Sequence, residues 1–155
     1  QGESMGSSIS LSVLQYSQDV DFVVADCGFT NLYDLIGTGL SEYNLGWAMP
    51  LVNAFMKKLG GYDMKETSAI DAISENSVPI FFIHGEADDL IPSDNSNELY
   101  KAAGGYCEIY FVPEAGHAES RKVLGTDGYA DILLGFLGNI RIKVPTPHIG
   151  DIHVL

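Results

Sequence analysis

An α/β fold with a parallel sheet is the architecture that this sequence of 155 residues predicts, and three observations carry the expectation. Three short apolar runs, at 21–25 (DFVVA), 78–83 (VPIFFI) and 108–112 (EIYFV), are rich in β-branched and aromatic residues and show no strict polar alternation. That pattern belongs to strands covered on both faces. Each run is followed by a loop rich in Gly, Asp or Pro, and helical segments lie between the runs. Strand and helix therefore alternate, as parallel strands joined by right-handed crossovers require.

Along the chain, residues 7–16 read as a first helix. Residues 30–77, between the first two apolar runs, form a long insertion with helical patches at 31–36, 48–59 and 67–74, broken by Gly and Pro. Its many apolar side chains (Leu32, Leu35, Ile36, Trp47, Leu51, Phe55) predict a packed cap rather than a disordered loop. Ser93 is placed to cap a helix running to Ala103, and Gly104-Gly105 supply its stop. In the last helix Tyr129, Ile132, Leu133, Phe136, Leu137 and Ile140 line one face, with Thr126 or Asp127 as its cap. Pro145 and Pro147 end helical structure in the tail, so the chain divides into one partial domain over 1–140 and a tail over 141–155.

The charge balance excludes one class of partner. Twenty-one Asp and Glu stand against eight Lys and Arg, a net charge of −13, and such a field repels phosphate backbones, so no nucleic-acid partner is expected. No apolar run approaches the ~18 residues of a membrane span. Cys27 and Cys107 are too few for a disulfide framework and read as small buried apolar residues. Neither C-x-x-C nor H-E-x-x-H occurs, so no metal and no cofactor is expected.

Three segments carry chemistry. Gly2-Glu3-Ser4-Met5-Gly6 is a G-x-S-x-G pentapeptide, in which a serine on a sharp strand-to-helix turn exposes its hydroxyl. Side chains two residues to either side would collide, so glycine is expected to be required at both Gly2 and Gly6. The helix that follows points its positive end at the serine, where an oxyanion would develop. After the second strand comes His84-Gly85-Glu86-Ala87-Asp88-Asp89-Leu90-Ile91-Pro92, and after the third Pro113-Glu114-Ala115-Gly116-His117-Ala118. His84 is expected to fix its loop by hydrogen bonding. Ser4, Asp88 and His117 follow one another at separations of 84 and 29 residues.

These motifs resemble those of the α/β-hydrolase superfamily, in particular bacterial serine esterases. The resemblance covers about residues 1–140 and includes Ala25-Asp26-Cys27-Gly28-Phe29. It implies Ser4 as nucleophile, His117 as general base, Asp88 (rather than its neighbour Asp89) as the orienting acid, and the Met5 N–H as one oxyanion donor. It also implies the C-terminal part of the fold, with three of the usual eight strands, flanking helices and the 30–77 insertion as a cap. The expected partners are then a small-molecule ester and an N-terminal segment of the same protein. That segment would supply the remaining strands and a second oxyanion donor, and activity is expected to need it. Two other readings stay open: a serine peptidase of the prolyl-oligopeptidase-like type, and a non-catalytic binding protein on the same fold.

Overall fold

In the computed structural model, which describes residues 1–17, 19–65 and 68–140, four parallel strands form one sheet. They are β1 (Gly2–Glu3), β2 (Val23–Asp26), β3 (Ile80–Gly85) and β4 (Cys107–Val112), in the spatial order β1-β2-β3-β4. The α/β class and the parallel pairing are as the apolar runs predict. The sheet has one strand more than the three expected, because Gly2–Glu3 lies in register beside Ala25 and Asp26. Two residues are too short a run to carry a strand signal of their own.

Six helices accompany the sheet: α1 (Met5–Ser12), α2 (Leu32–Glu42), α3 (Met49–Gly60), α4 (Ala69–Ser74), α5 (Asp94–Ala102) and α6 (Ser120–Asn139). The strands present alternate side chains to opposite faces. On one face Val23, Ala25, Ile80 and Phe82 pack with Leu11 and Leu14 of the first helical segment, Ala69 and Ile73 of α4, and Leu99 of α5. On the other, Val24, Phe81 and Ile83 pack under Tyr129 and Phe136 of α6, with the Phe81 and Phe136 rings stacked at 5.1 Å. Helices cover both faces, which is why the strands read as unbroken apolar runs.

The local details correct four expectations. The first helix is α-helical only to Ser12 and then tightens into a 3-10 turn at Val13–Gln15. Ser93 stands at the start of α5 in a helical conformation (φ −60°, ψ −16°), and its side chain makes no capping hydrogen bond. A cap needs a non-helical backbone for its oxygen to reach back. The last helix begins at Ser120, six residues before the expected cap at Thr126, and Gly125 (φ 72°, ψ 167°) interrupts it. The insertion is also narrower than 30–77. Ala69 and Ile73 belong to the core beneath α1, so α4 is part of the sheet's own cover, and α2 and α3 alone stand off it. Asn31 caps α2 by accepting from the Asp34 N–H at 2.7 Å. Met49, buried, packs over Gly37 to join the two helices. The 141–155 tail lies outside the described residues.

Candidate active site

Ser4 sits between β1 and α1 with φ 53° and ψ −120°, a region that costs a residue with a side chain roughly 1–3 kcal/mol. The turn is held from below. The Ser4 N–H donates to the Asp26 carbonyl at 2.9 Å, and the Ser7 N–H donates to the Ser4 carbonyl at 3.0 Å. Cys27 (φ 43°) and Ala118 (φ 58°) are also left-handed. Of the five positive-φ residues with side chains among the described residues, these three fall at the carboxyl ends of β1 and β2 and beside His117, and the other two are Asn44 and Glu114.

The glycine at each side of the serine has a different standing. A Cβ on Gly2 would lie 2.1 Å from the Gly6 carbonyl oxygen, whereas a Cβ on Gly6 would meet nothing within 4 Å among the described residues. The close approach is thus made by Gly2 against the backbone of α1, and the expectation that both positions demand glycine is corrected at Gly6.

The acid and the base come from neighbouring loops. Gly85 ends β3, and a Cβ there would stand 2.2 Å from the Ala115 carbonyl oxygen. Only glycine lets the loop after β3 lie directly on the loop after β4, where the Ala87 N–H donates to that same carbonyl at 2.9 Å. The contact sets Asp88 against His117. The imidazole Nδ1 is 2.9 Å from Asp88 Oδ2, and Nε2 is 2.9 Å from Ser4 Oγ. With the carboxylate as acceptor, Nδ1 carries the hydrogen and Nε2 accepts from the serine hydroxyl.

Asp88 is buried and its second oxygen is saturated. Oδ1 accepts from the Leu90 N–H at 3.0 Å and the Ile91 N–H at 2.8 Å. His84, fully buried, stands behind it. Its Nε2 is 2.9 Å from the Ile91 carbonyl and 3.3 Å from Asp88 Oδ2. A carbonyl only accepts, so Nε2 carries the hydrogen, and Nδ1 accepts from the Ser96 hydroxyl at 2.6 Å. His84 therefore holds the loop and the carboxylate together. Asp89 is exposed and lines the cavity beside Ser4.

One pairing beside the site gave no local signal in the sequence, although the segment 25–29 that carries it is part of the resemblance. Asp26, buried at the end of β2, accepts from the Ser120 hydroxyl at 2.9 Å and the Tyr129 hydroxyl at 3.1 Å. Burial pushes its carboxyl above the usual value, against the lowering effect of those two hydrogen bonds. Next to it, burial and then the Asp26 charge push the Cys27 thiol up to about 12. Cys27, Asp88 and His117 bring potential metal-ligating atoms within 4.8 Å of one another. Within that group the carboxylate and the imidazole are hydrogen-bonded to each other.

A cavity of about 400 Å³ opens beside Ser4. Leu35 and Ile36 of α2, Leu90, Ile91 and Phe29 line it, together with Glu42 and Asp89. A second apolar cavity, about 380 Å³, lies along α1 beyond Met5 and does not include Ser4 in its lining. Met5 begins α1, where the first N–H groups of a helix have no intrahelical partner. The arrangement can take a proton from the Ser4 hydroxyl onto Nε2 while Asp88 stabilises the resulting imidazolium.

Comparison with known proteins places the chain in a family. A family model described as BD-FAE matches residues 6–103. The uncharacterized protein YqkD of Bacillus subtilis (strain 168) is 34% identical over an alignment of 124 residues that covers 77% of this chain and 41% of that protein. Among solved structures, the Pyrococcus furiosus esterase Pf2001 superposes with a TM-score of 0.63 at 20% identity, over 89% of this chain and 51% of that one. The Pyrococcus horikoshii acylaminoacyl peptidase gives 0.66 at 18% identity, over 94% of this chain and 24% of that one. At such identities the structural likeness speaks to the fold alone. The chain spans about half or less of the length of each of these three proteins.

Proposed function

This chain belongs to the BD-FAE family of esterase-like α/β-hydrolases, and from that premise we propose that it is the triad-bearing part of a serine hydrolase that cleaves carboxylic esters through an acyl-enzyme. The single observation that carries the reading is the unbroken chain of hydrogen bonds from Ser4 Oγ through the His117 ring to Asp88 Oδ2. In it Ser4 attacks the ester carbonyl as His117 Nε2 takes its proton. The tetrahedral oxyanion is held by the Met5 N–H at the positive end of α1. Collapse expels the alcohol, which receives the proton back from Nε2. Water then attacks the acyl-Ser4 carbonyl by the same route, releasing the acid and the free serine.

The cavity beside Ser4 favours the class of substrate. Leu35, Ile36, Phe29 and Leu90 suit a moderately hydrophobic group, and Glu42 and Asp89 on the lining disfavour an anionic one. The outer edge of β1 has no strand beside it among the described residues. A preceding segment of the same protein that pairs with this edge, and that brings a second oxyanion donor, completes the proposed enzyme. Leu32, Leu35 and Ile36 of α2 line the cavity at Ser4, an apolar surround that suits an ester better than a peptide.

Labelling of the whole protein with a fluorophosphonate probe tests the reading. An adduct on Ser4, lost in Ser4→Ala together with turnover of short-chain p-nitrophenyl esters, is the expected result. A protein that turns over acyl-peptides and no ester would instead favour the peptidase reading, and absence of any Ser4 adduct would defeat both.

A further inference from the structure

The insertion packs on one side only. Trp47, in the 3-10 turn Gly46–Ala48, and Leu51, Phe55 and Leu59 of α3 follow one another at every fourth position, and they are 77, 71, 62 and 69% exposed. Single exposed apolar side chains are ordinary. Four large ones in a row at helical spacing make a patch that calls for an occupant. The helix beneath them is held firmly. Asn53 donates to Asp63 at 2.9 Å and accepts from the N–H of the buried Met64 at 2.9 Å, while Met49 packs on α2.

Charge indicates the kind of occupant. The chain has 21 Asp and Glu, yet none falls between Tyr43 and Tyr62, where the two charged residues are Lys57 and Lys58. Lys57 pairs with Asp63 at 2.8 Å, and Lys58 is exposed. A row of Trp, Leu and Phe with lysine at its carboxyl end and no carboxylate is the composition with which a helix lies in the headgroup region of a lipid layer. All 21 acidic residues and the other six basic ones lie in the rest of the chain, and at physiological salt charges beyond about 8 Å are largely screened.

We infer that the outer face of α3 docks on an anionic lipid surface, with Trp47, Leu51, Phe55 and Leu59 at the boundary between headgroups and acyl chains and Lys58 among the phosphates. Docking of this kind lies on the membrane and crosses nothing: no helix among the described residues is long and apolar enough to span a bilayer. It stands whether or not the protein is a hydrolase. Taken with that reading, it names the substrate as a water-insoluble ester, because the same two-helix insertion bears both the docking face and a wall of the cavity at Ser4.

Vesicle co-sedimentation of the whole protein tests it, using phosphatidylcholine with and without a quarter of phosphatidylglycerol. The expected results are binding to the anionic vesicles, weakened by salt, and a blue shift of Trp47 emission that Trp47→Phe removes; Trp47 is the only tryptophan of this chain. Leu51→Asp with Phe55→Asp is expected to weaken vesicle binding about tenfold or more while leaving turnover of a soluble short-chain ester unchanged. Lys58→Glu is expected to weaken binding to the anionic vesicles about fivefold and to the neutral ones hardly at all. Failure of the wild type to bind, or undiminished binding by the double variant, overturns the inference. So does a wild-type dimer that the double variant converts to monomer, since the row would then lie between two copies. Vesicle binding by a protein that hydrolyses no ester supports the docking and counts against the hydrolase reading alone.

Discussion

Ser4 Oγ and His117 Nε2 stand 2.9 Å apart although 113 residues separate them in the chain. The contact exists because β1 and β4, at opposite edges of one parallel sheet, end on the same side of it. Ser4→Ala and His117→Ala are each expected to lower kcat for ester hydrolysis by on the order of 10⁴–10⁶. The double variant should lose little more than either single one, because the two groups act as a unit. Full additivity in steady-state kinetics would mean that they do not share a proton.

Asp88 does two things that one substitution can separate. Asp88→Asn keeps an acceptor for the Leu90 and Ile91 N–H groups and removes the charge facing His117. The fold should persist while kcat falls on the order of 10⁴. Asp88→Ala also leaves the buried Ile91 N–H unpaired, which adds a loss of about 1–3 kcal/mol in stability. Asp89→Asn, at an exposed position, should leave both quantities near wild type. Urea unfolding beside kinetics reads the two effects apart, and a large kcat loss in Asp89→Asn would transfer the acid's role to that residue.

The candidate residues were legible from local signals: Ser4 from the pentapeptide around it, and Asp88 and His117 from loops directly after apolar runs. Gly85 against Ala115, by contrast, is a contact between loops that no local pattern announces, though the glycine itself stood in the motif. The buried pairing of Asp26 with Ser120 and Tyr129 spans 94 and 103 residues and left no trace in the sequence. The insertion shows a different limit. Ile73 and Phe55 look alike as apolar residues in helical patches, yet one is in the core and the other faces out. Periodicity identifies a helix's apolar face, and only tertiary packing says what covers it.

Gly2 and Gly6 occupy equivalent places in the pentapeptide and are expected to respond differently. Gly2→Ala drives a methyl group into the Gly6 carbonyl at 2.1 Å, with backbone on both sides and nothing flexible to yield. It should destabilise by roughly 1–3 kcal/mol and disturb Ser4 directly. Gly6→Ala enters open space within α1 and replaces the poorest helix former after proline, so it should be neutral or stabilising by up to about 1 kcal/mol. Thermal melts of the two variants, with activity, check the contrast. Equal damage from both would show that the serine turn is crowded on its α1 side as well.

Asp26 gives stability a pH dependence whose sign follows from its environment. Burial raises its carboxyl above 3.8 in the folded state, so the folded protein holds this proton more tightly than the unfolded chain does. Stability therefore declines as pH climbs from 3.8 through the raised value, and the deficit persists at neutral pH. Asp26→Asn removes the ionisation while its amide oxygen still accepts from Ser120. The Tyr129 hydroxyl, which already accepts from Gln1 Nε2 at 3.0 Å, can turn to accept from the new amide. The variant's stability relative to wild type should accordingly rise across that pH window and stay constant above it. Urea midpoints for both proteins between pH 3.5 and 7 measure the gap. Two parallel curves would mean that the hydroxyls of Ser120 and Tyr129 fully offset the burial of the charge.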